Sequence, residues 1–195
     1  GENTYAISKA DQERLAIAFG RVLEPCYDFS QADVVLALDA DFLSMLPGRV
    51  RYAHDFTARR DPAGMNRLYA IETASSITGA KADHRFALNG AQIESAARAL
   101  AAALGLQVRT GSGALSSSVI DAVARDLRSH HGRALVIAGD AQPPVVHALA
   151  HAINERLGNF GHTVSFSEPV LANVTMNAQS LPELVEELKA KGAGY

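Results

Sequence analysis

Apolar positions along this chain alternate between two periods. Short β-branched runs bounded by turn residues are separated by longer segments in which apolar residues recur every three or four positions. Residues 9–21 follow the helical period. Ala32, Val34, Val35, Leu36, Ala37 and Leu38, interrupted by Asp33, are too few for a helix and predict a buried strand that stops at Asp39. An Arg-rich stretch with Pro47 and Pro62 follows and reads as a solvated loop. Arg67, Leu68, Tyr69, Ala70 and Ile71 predict a second strand, and after a Ser/Thr/Gly segment a third surrounds Phe86, Ala87 and Leu88. Residues 92–104 have the period and the Ala content of a helix. Residues 119–129 predict another, with Ser116, Ser117 and Ser118 as candidate N-caps. The clearest strand is 134–138, ending at Gly139 and Asp140, and 145–157 is a helix closed by Gly158.

Strands separated by helices need crossover connections, which predicts an α/β fold: a Rossmann-like, mostly parallel sheet with helices on both faces. No repeat or low-complexity linker divides the chain, so residues 1–195 read as a single domain. Its core spans about 31–161, and 162–195 form a return segment and a terminal helix over 181–191. That helix has nothing after it to pack against, and the chain opens on Gly1 without a signal-peptide pattern, so the expectation is a fragment of a larger subunit.

Composition narrows the partners. The chain has 195 residues, 48% of them hydrophobic, enough for one domain to bury roughly 70% of its unfolded surface. Lys plus Arg number 18 against 21 Asp plus Glu, and the net charge of −3 gives no general attraction for nucleic acid. A single cysteine, Cys26, excludes an internal disulfide framework, a Cys-rich zinc site and a four-thiolate cluster within the chain, and reads as a small core residue. No apolar run approaches the roughly 20 residues of a membrane span.

In doubly wound sheets the working residues lie at the carboxyl ends of strands, which here are Asp39, Asp41, Glu72, Thr73, Gly139 and Asp140. Asp39-Ala40-Asp41 after a buried strand resembles the aspartate pair of haloacid-dehalogenase-like phosphatases. That resemblance implies Asp39 as nucleophile, Asp41 as acid/base, Thr110 on phosphate and Asp140 on magnesium. The alternative is that Asp39 and Asp41 open a turn and cap residues 42–46. Leu43 and Pro144 depart from the phosphatase pattern. Gly111, Ser112 and Gly113 before a helix offer a phosphate-cradling turn or a plain connector. His147 and His151 have the i, i+4 spacing of helical metal ligands, without a zincin glutamate or a third ligand, and a packed or solvated helix face is the competing reading. His130 and His131 sit where positive charge offsets a helix C-terminus. Arg49, Arg51, Arg59, Arg60 and Arg67 form a basic stretch, a solvated loop or a dock for an acidic surface.

The order of these pieces resembles the molybdopterin oxidoreductase family. Ala32 to Leu38 stand where that family has an Ala-Asp-Val-Ile-Leu strand, Asn66 to Ile71 where a strand leads to its Asp-Pro-Arg element, and Thr78, Ala82 and Asp83 match the following Thr and Ala-Asp. Leu157, Gly158, Asn159, Phe160 and Gly161 look like its Leu-Gly-Asn-x-Gly region. Leu38 to Leu43 and Met65 to Leu88 look most like the molybdopterin-oxidoreductase-like iron–sulfur subunit of the quinol-oxidising alternative complex III. This implies a domain of a bacterial respiratory subunit that keeps the fold without the molybdenum cofactor. Its partners would be the other subunits of a membrane-associated complex, at the periplasmic face, with iron–sulfur clusters elsewhere in the parent. If the cofactor were retained, molybdopterin guanine dinucleotide would lie against Asp39, Asp41, Glu72, Thr73, Thr78, Gly139 and Asp140. Where cofactor-binding members carry Gly-x-Asn, Asp-Pro-Arg and Pro-Gly-Thr-Asp, this chain has Asp39-Ala40-Asp41, Glu72-Thr73-Ala74 and Gly90-Ala91-Gln92-Ile93. These changes put carboxylates beside a pyrophosphate and remove its donors.

Overall fold

A computed structural model of the chain describes residues 24–110 and 113–167. The helices expected over 9–21 and 181–191, and Gly111 and Ser112, lie outside the described residues. Four parallel strands form the main sheet: β2 (Val34–Leu38), β3 (Arg67–Glu72), β4 (His84–Ala87) and β5 (Ala134–Ala138). Their order is β4-β3-β2-β5, and helices flank the sheet, so the chain has a Rossmann-like α/β fold. A separate antiparallel pair joins β1 (Glu24–Tyr27) to β6 (Val164–Ser167). The helices are α1 (Arg49–Ala58), α2 (Ile77–Lys81), α3 (Gly90–Ala103), α4 (Ser117–Ser129) and α5 (Pro144–Arg156).

Strand alternation divides the core. Val34, Leu36 and Leu38 of β2, with Ala134 and Val136 of β5, face a layer built from α3, α4 and α5. Val35 and Ala37, with Leu135 and Ile137, face Tyr52 and Phe56 of α1 and the stacked rings of Phe29 and Phe42, whose centroids lie 4.3 Å apart. Both faces of β2 and β5 are therefore covered, which is why their sequences read as unbroken apolar runs.

The sequence-derived boundaries hold closely for β5, α3, α4 and α5. Asn89 closes a capping box with Gln92 at the start of α3, and Ser116 is the N-cap of α4. Leu157 is the C-cap of α5 and Gly158 follows at φ 65°, a left-handed turn that suits glycine. The Arg-rich stretch is different. Instead of a loop it contains α1, because Tyr52 and Phe56, one turn apart, anchor it on the sheet. Three of its arginines reach carboxylates of other segments: Arg59 to Asp33, Arg60 to Asp83 and Arg67 to Asp126. Cys26 is half-buried on β1 and not a core residue, its thiol 3.3 Å from the Ser167 hydroxyl.

β5 is an edge strand whose outer side is closed by side chains. Asn154 of α5 accepts from Val136 N–H at 2.9 Å and donates to Val136 C=O at 2.7 Å, imitating a neighbouring strand. Asn159 braces it by donating to Asn154 Oδ1 at 2.9 Å, and the Thr163 hydroxyl donates to the Ala134 carbonyl at 2.5 Å. The Leu-Gly-Asn-x-Gly turn thus supports the sheet edge.

At the amino ends of the strands Asp33 accepts from both Arg59 and Arg133. Burial alone would raise its pKa, but the hydrogen bonds and charges of the two arginines outweigh burial and hold the carboxyl below its ordinary value. A depressed carboxyl stabilises the fold above its unfolded pKa of about 4, and that contribution disappears as pH falls through the lower folded value. The stability gap between the native chain and Asp33→Asn is therefore expected to be full at neutral pH and to close below about pH 4, followed by urea unfolding at stepped pH. A gap that persists unchanged at pH 2 contradicts this.

Candidate functional site

The carboxyl ends of the strands meet where the order reverses between β2 and β5, the position at which open α/β sheets bind ligands. Asp39 ends β2 in the left-handed region, at φ 54°. Its N–H donates to Ile71 C=O at 2.7 Å, and Gly139 N–H donates to Leu38 C=O at 2.9 Å, so three strand ends stay bonded there. A Cβ on Gly139 would stand 1.9 Å from the Asp39 carbonyl oxygen. Only a glycine at the end of β5 lets the Asp39 backbone cross so closely.

The carboxylates at this rim serve the chain's own loops. Asp39 accepts from Thr73 N–H at 2.8 Å, the Thr73 hydroxyl at 3.1 Å and Gln142 Nε2 at 2.8 Å, which ties the loop after β2 to those after β3 and β5. Asp41 accepts from Thr78 N–H at 3.0 Å, the Thr78 hydroxyl at 2.7 Å and the Ser44 hydroxyl. Thr78 in turn accepts from Leu43 N–H at 3.2 Å. Asp41 therefore opens the 42–45 turn, as the turn reading expected, yet its side chain binds α2 as well as Ser44. Glu72 is buried at 4% exposure and accepts from Arg85 Nε and the Ser76 hydroxyl, both at 2.5 Å. Ser76 also caps α2 by accepting from Gly79 N–H, and a Cβ on Gly79 would stand 1.9 Å from Glu72 Oε1.

Beside this rim lies a cleft of about 250 Å³, bounded by Pro25 and Tyr27 of β1, by Pro47, Arg51 and Tyr52 at the start of α1, and by Ala138 and Asp140 after β5. Arg51 donates to the Tyr27 carbonyl at 2.7 Å, which holds β1 against α1. Burial raises the Glu24 carboxyl and the Tyr52 phenol above their ordinary values. The walls are largely apolar, and Arg51 is the single cation among the lining residues. Tyr52, Arg85 and Gln142 were not singled out from the sequence. The Tyr52/Phe56 spacing was the available sign for α1, whereas Gln142 meets Asp39 across 103 residues and left no local trace.

The residues at the rim do not fit a pyrophosphate. Phosphate needs N–H donors and cations, and here the N–H groups of Thr73 and Thr78 already bind the carboxylates of Asp39 and Asp41. The phosphatase set is not assembled either. Asp39 is held by Thr73 and Gln142, Thr110 lies in an irregular segment after α3 rather than at a strand end, and no group of three or more His, Cys, Asp or Glu side chains that could hold a metal ion comes together among the described residues. His147 is buried in the α5 layer, while His151 is half-buried with its ring 6.2 Å from that of Phe166, so the packed-face reading describes the pair.

The class that fold and rim define is thus a Rossmann-like α/β domain whose switch-point carboxylates bind its own loops. No protein-family model matches the chain, and no curated protein gives a significant match to it.

Proposed function

We propose that this chain is a scaffold domain of a respiratory oxidoreductase subunit, molybdopterin-oxidoreductase-like in its fold and without a pterin cofactor of its own. The observation that carries the reading is that the strand-end carboxylates are taken up by hydrogen bonds within the chain. Asp39, Asp41 and Glu72 each bind a neighbouring loop, and the Asp39 carbonyl lies over Gly139 where a phosphate would approach. Family membership rests on the resemblance of the strand residues and of the Leu157 to Gly161 turn. In this reading the domain works by shape: it presents its surface to the other subunits of a membrane-associated complex on the periplasmic side, and electrons pass through iron–sulfur clusters elsewhere in the parent. Among the described residues no helix is long and apolar enough to cross a membrane.

The test is made on the intact protein purified from its native membrane. Metal analysis and fluorescence of oxidised pterin are expected to show neither molybdenum nor pterin in stoichiometric amount, and calorimetric titration with GTP is expected to give no binding heat. Stoichiometric molybdenum or saturable GTP binding overturns the scaffold reading.

A further inference from the structure

A second cleft, of about 200 Å³, lies at the opposite end of the sheet, where the C-terminal ends of α3, α4 and α5 meet. Leu104, Arg128, His131, Arg156 and Leu157 line it. Several guanidinium groups of the fold are matched by carboxylates: Arg59 and Arg133 on Asp33, Arg60 on Asp83, Arg67 on Asp126, Arg85 on Glu72. Arg128 and Arg156 make no ion pair among the described residues. Instead Arg128 Nη2 donates to the Ala103 carbonyl at 2.6 Å and Arg156 Nε to the Leu104 carbonyl at 3.1 Å. Both heads are thereby fixed over the end of α3, and their other N–H groups have no acceptor among the described residues. The His131 ring packs on Gly158, where a Cβ would stand 2.3 Å from Cε1.

We propose that this cleft is a binding site for a phosphate-bearing anion. Guanidinium forks match phosphate oxygens, and two fixed positive charges match a phosphate dianion. The C-terminal poles of α3, α4 and α5, about half a negative charge each, together offset about one and a half charges and leave the cleft with a small net positive charge. Because carbonyl bonds already orient the arginines, little side-chain freedom is lost when an anion arrives. Buried Leu104 and Leu157 form an apolar floor against which the organic part of a phosphate ester packs. This site shares no residue with the strand-end rim and stands independently of the scaffold reading.

The probe is inorganic phosphate, titrated into the full chain at constant ionic strength against chloride and followed by amide NMR. Saturable shifts centred on Leu104, Arg128, His131 and Arg156 are expected with phosphate and none with chloride. Arg128→Gln and Arg156→Gln are each expected to weaken the response about tenfold, and Arg133→Gln to leave it unchanged. Thermal melts establish that the variants fold, and Arg156→Lys, which keeps the charge and loses the fork, is expected to fall between native and Arg156→Gln. No saturable shift at tens of millimolar phosphate, an equal response to chloride, or binding that survives in the double Gln variant overturns the proposal. So does a response to a glutamate-rich peptide in the absence of one to phosphate, which would make the cleft a dock for a protein carboxylate.

Discussion

Replacing Asn154 by leucine is expected to lower the unfolding free energy by about 4 kcal/mol, one of the largest losses a single side chain in this domain can cause. Leucine has the same branched skeleton and a larger volume, so the loss does not come from a cavity. It comes from the edge of β5, where Asn154 satisfies both the N–H and the C=O of Val136 inside the protein. Removing the amide leaves two buried backbone groups unpaired, each costing about 1–3 kcal/mol, and takes the acceptor from the Asn159 side-chain amide as well. Urea unfolding of the full chain measures the effect. A loss below about 1 kcal/mol would mean that water or a rearranged turn supplies the missing partners.

Gly139→Ala is the second substitution with a large expected effect, about 3 kcal/mol or more. The reason is space. The backbone of Gly139 is not left-handed, but the added methyl would meet the Asp39 carbonyl oxygen at 1.9 Å, its carbon at 2.7 Å and Ala40 Cα at 3.2 Å. These are backbone atoms and cannot swing aside as a flexible side chain would. Relief requires the β2 and β5 ends to separate, which strains the Gly139 N–H to Leu38 C=O bond and moves Asp39 away from Thr73 and Gln142. Gly90→Ala is the matched control. Nothing lies within 4 Å of the place its methyl would take and the residue opens α3, so alanine there is expected to change stability by less than about 0.5 kcal/mol. Comparable losses in the two variants would remove the close-approach explanation.

Both substitutions act on features with little local signature. The strands were readable because burial on two faces forces unbroken apolar runs: Ala134, Leu135, Val136, Ile137 and Ala138 predict β5 to the residue. The start of α4 was readable because Ser116, one of three candidate caps, bonds a donor three residues away, within one window of sequence. The same windows failed at α1, where the charged positions hid a two-aromatic anchor, and at α2, a five-residue helix within a Ser/Thr/Gly segment. They failed also at β1 and β6, which pair across the whole length of the domain.

For the rim, the sequence correctly picked out the strand-end positions and could not say what they bind. Asp39 and Asp41 read as a phosphatase pair, as cofactor contacts or as turn formers, and Glu72 as a cofactor contact, because a carboxylate has the same composition in each role. Their hydrogen-bond partners are distant in the chain. Thr73 lies 34 residues from Asp39, Thr78 lies 37 from Asp41, and Gln142 lies 103 from Asp39. The arginines show the same division: Arg59, Arg60 and Arg67 of the basic stretch become matched pairs once Asp33, Asp83 and Asp126 are brought beside them, while Arg128 and Arg156 stay unmatched among the described residues. Periodicity and capping are properties of neighbours in the chain, so the α/β alternation and most element boundaries belong to the sequence alone. Which charges are neutralised, which strand edge is closed and whether the crevice stays open are properties of neighbours in space, and they came into being only when the sheet was assembled.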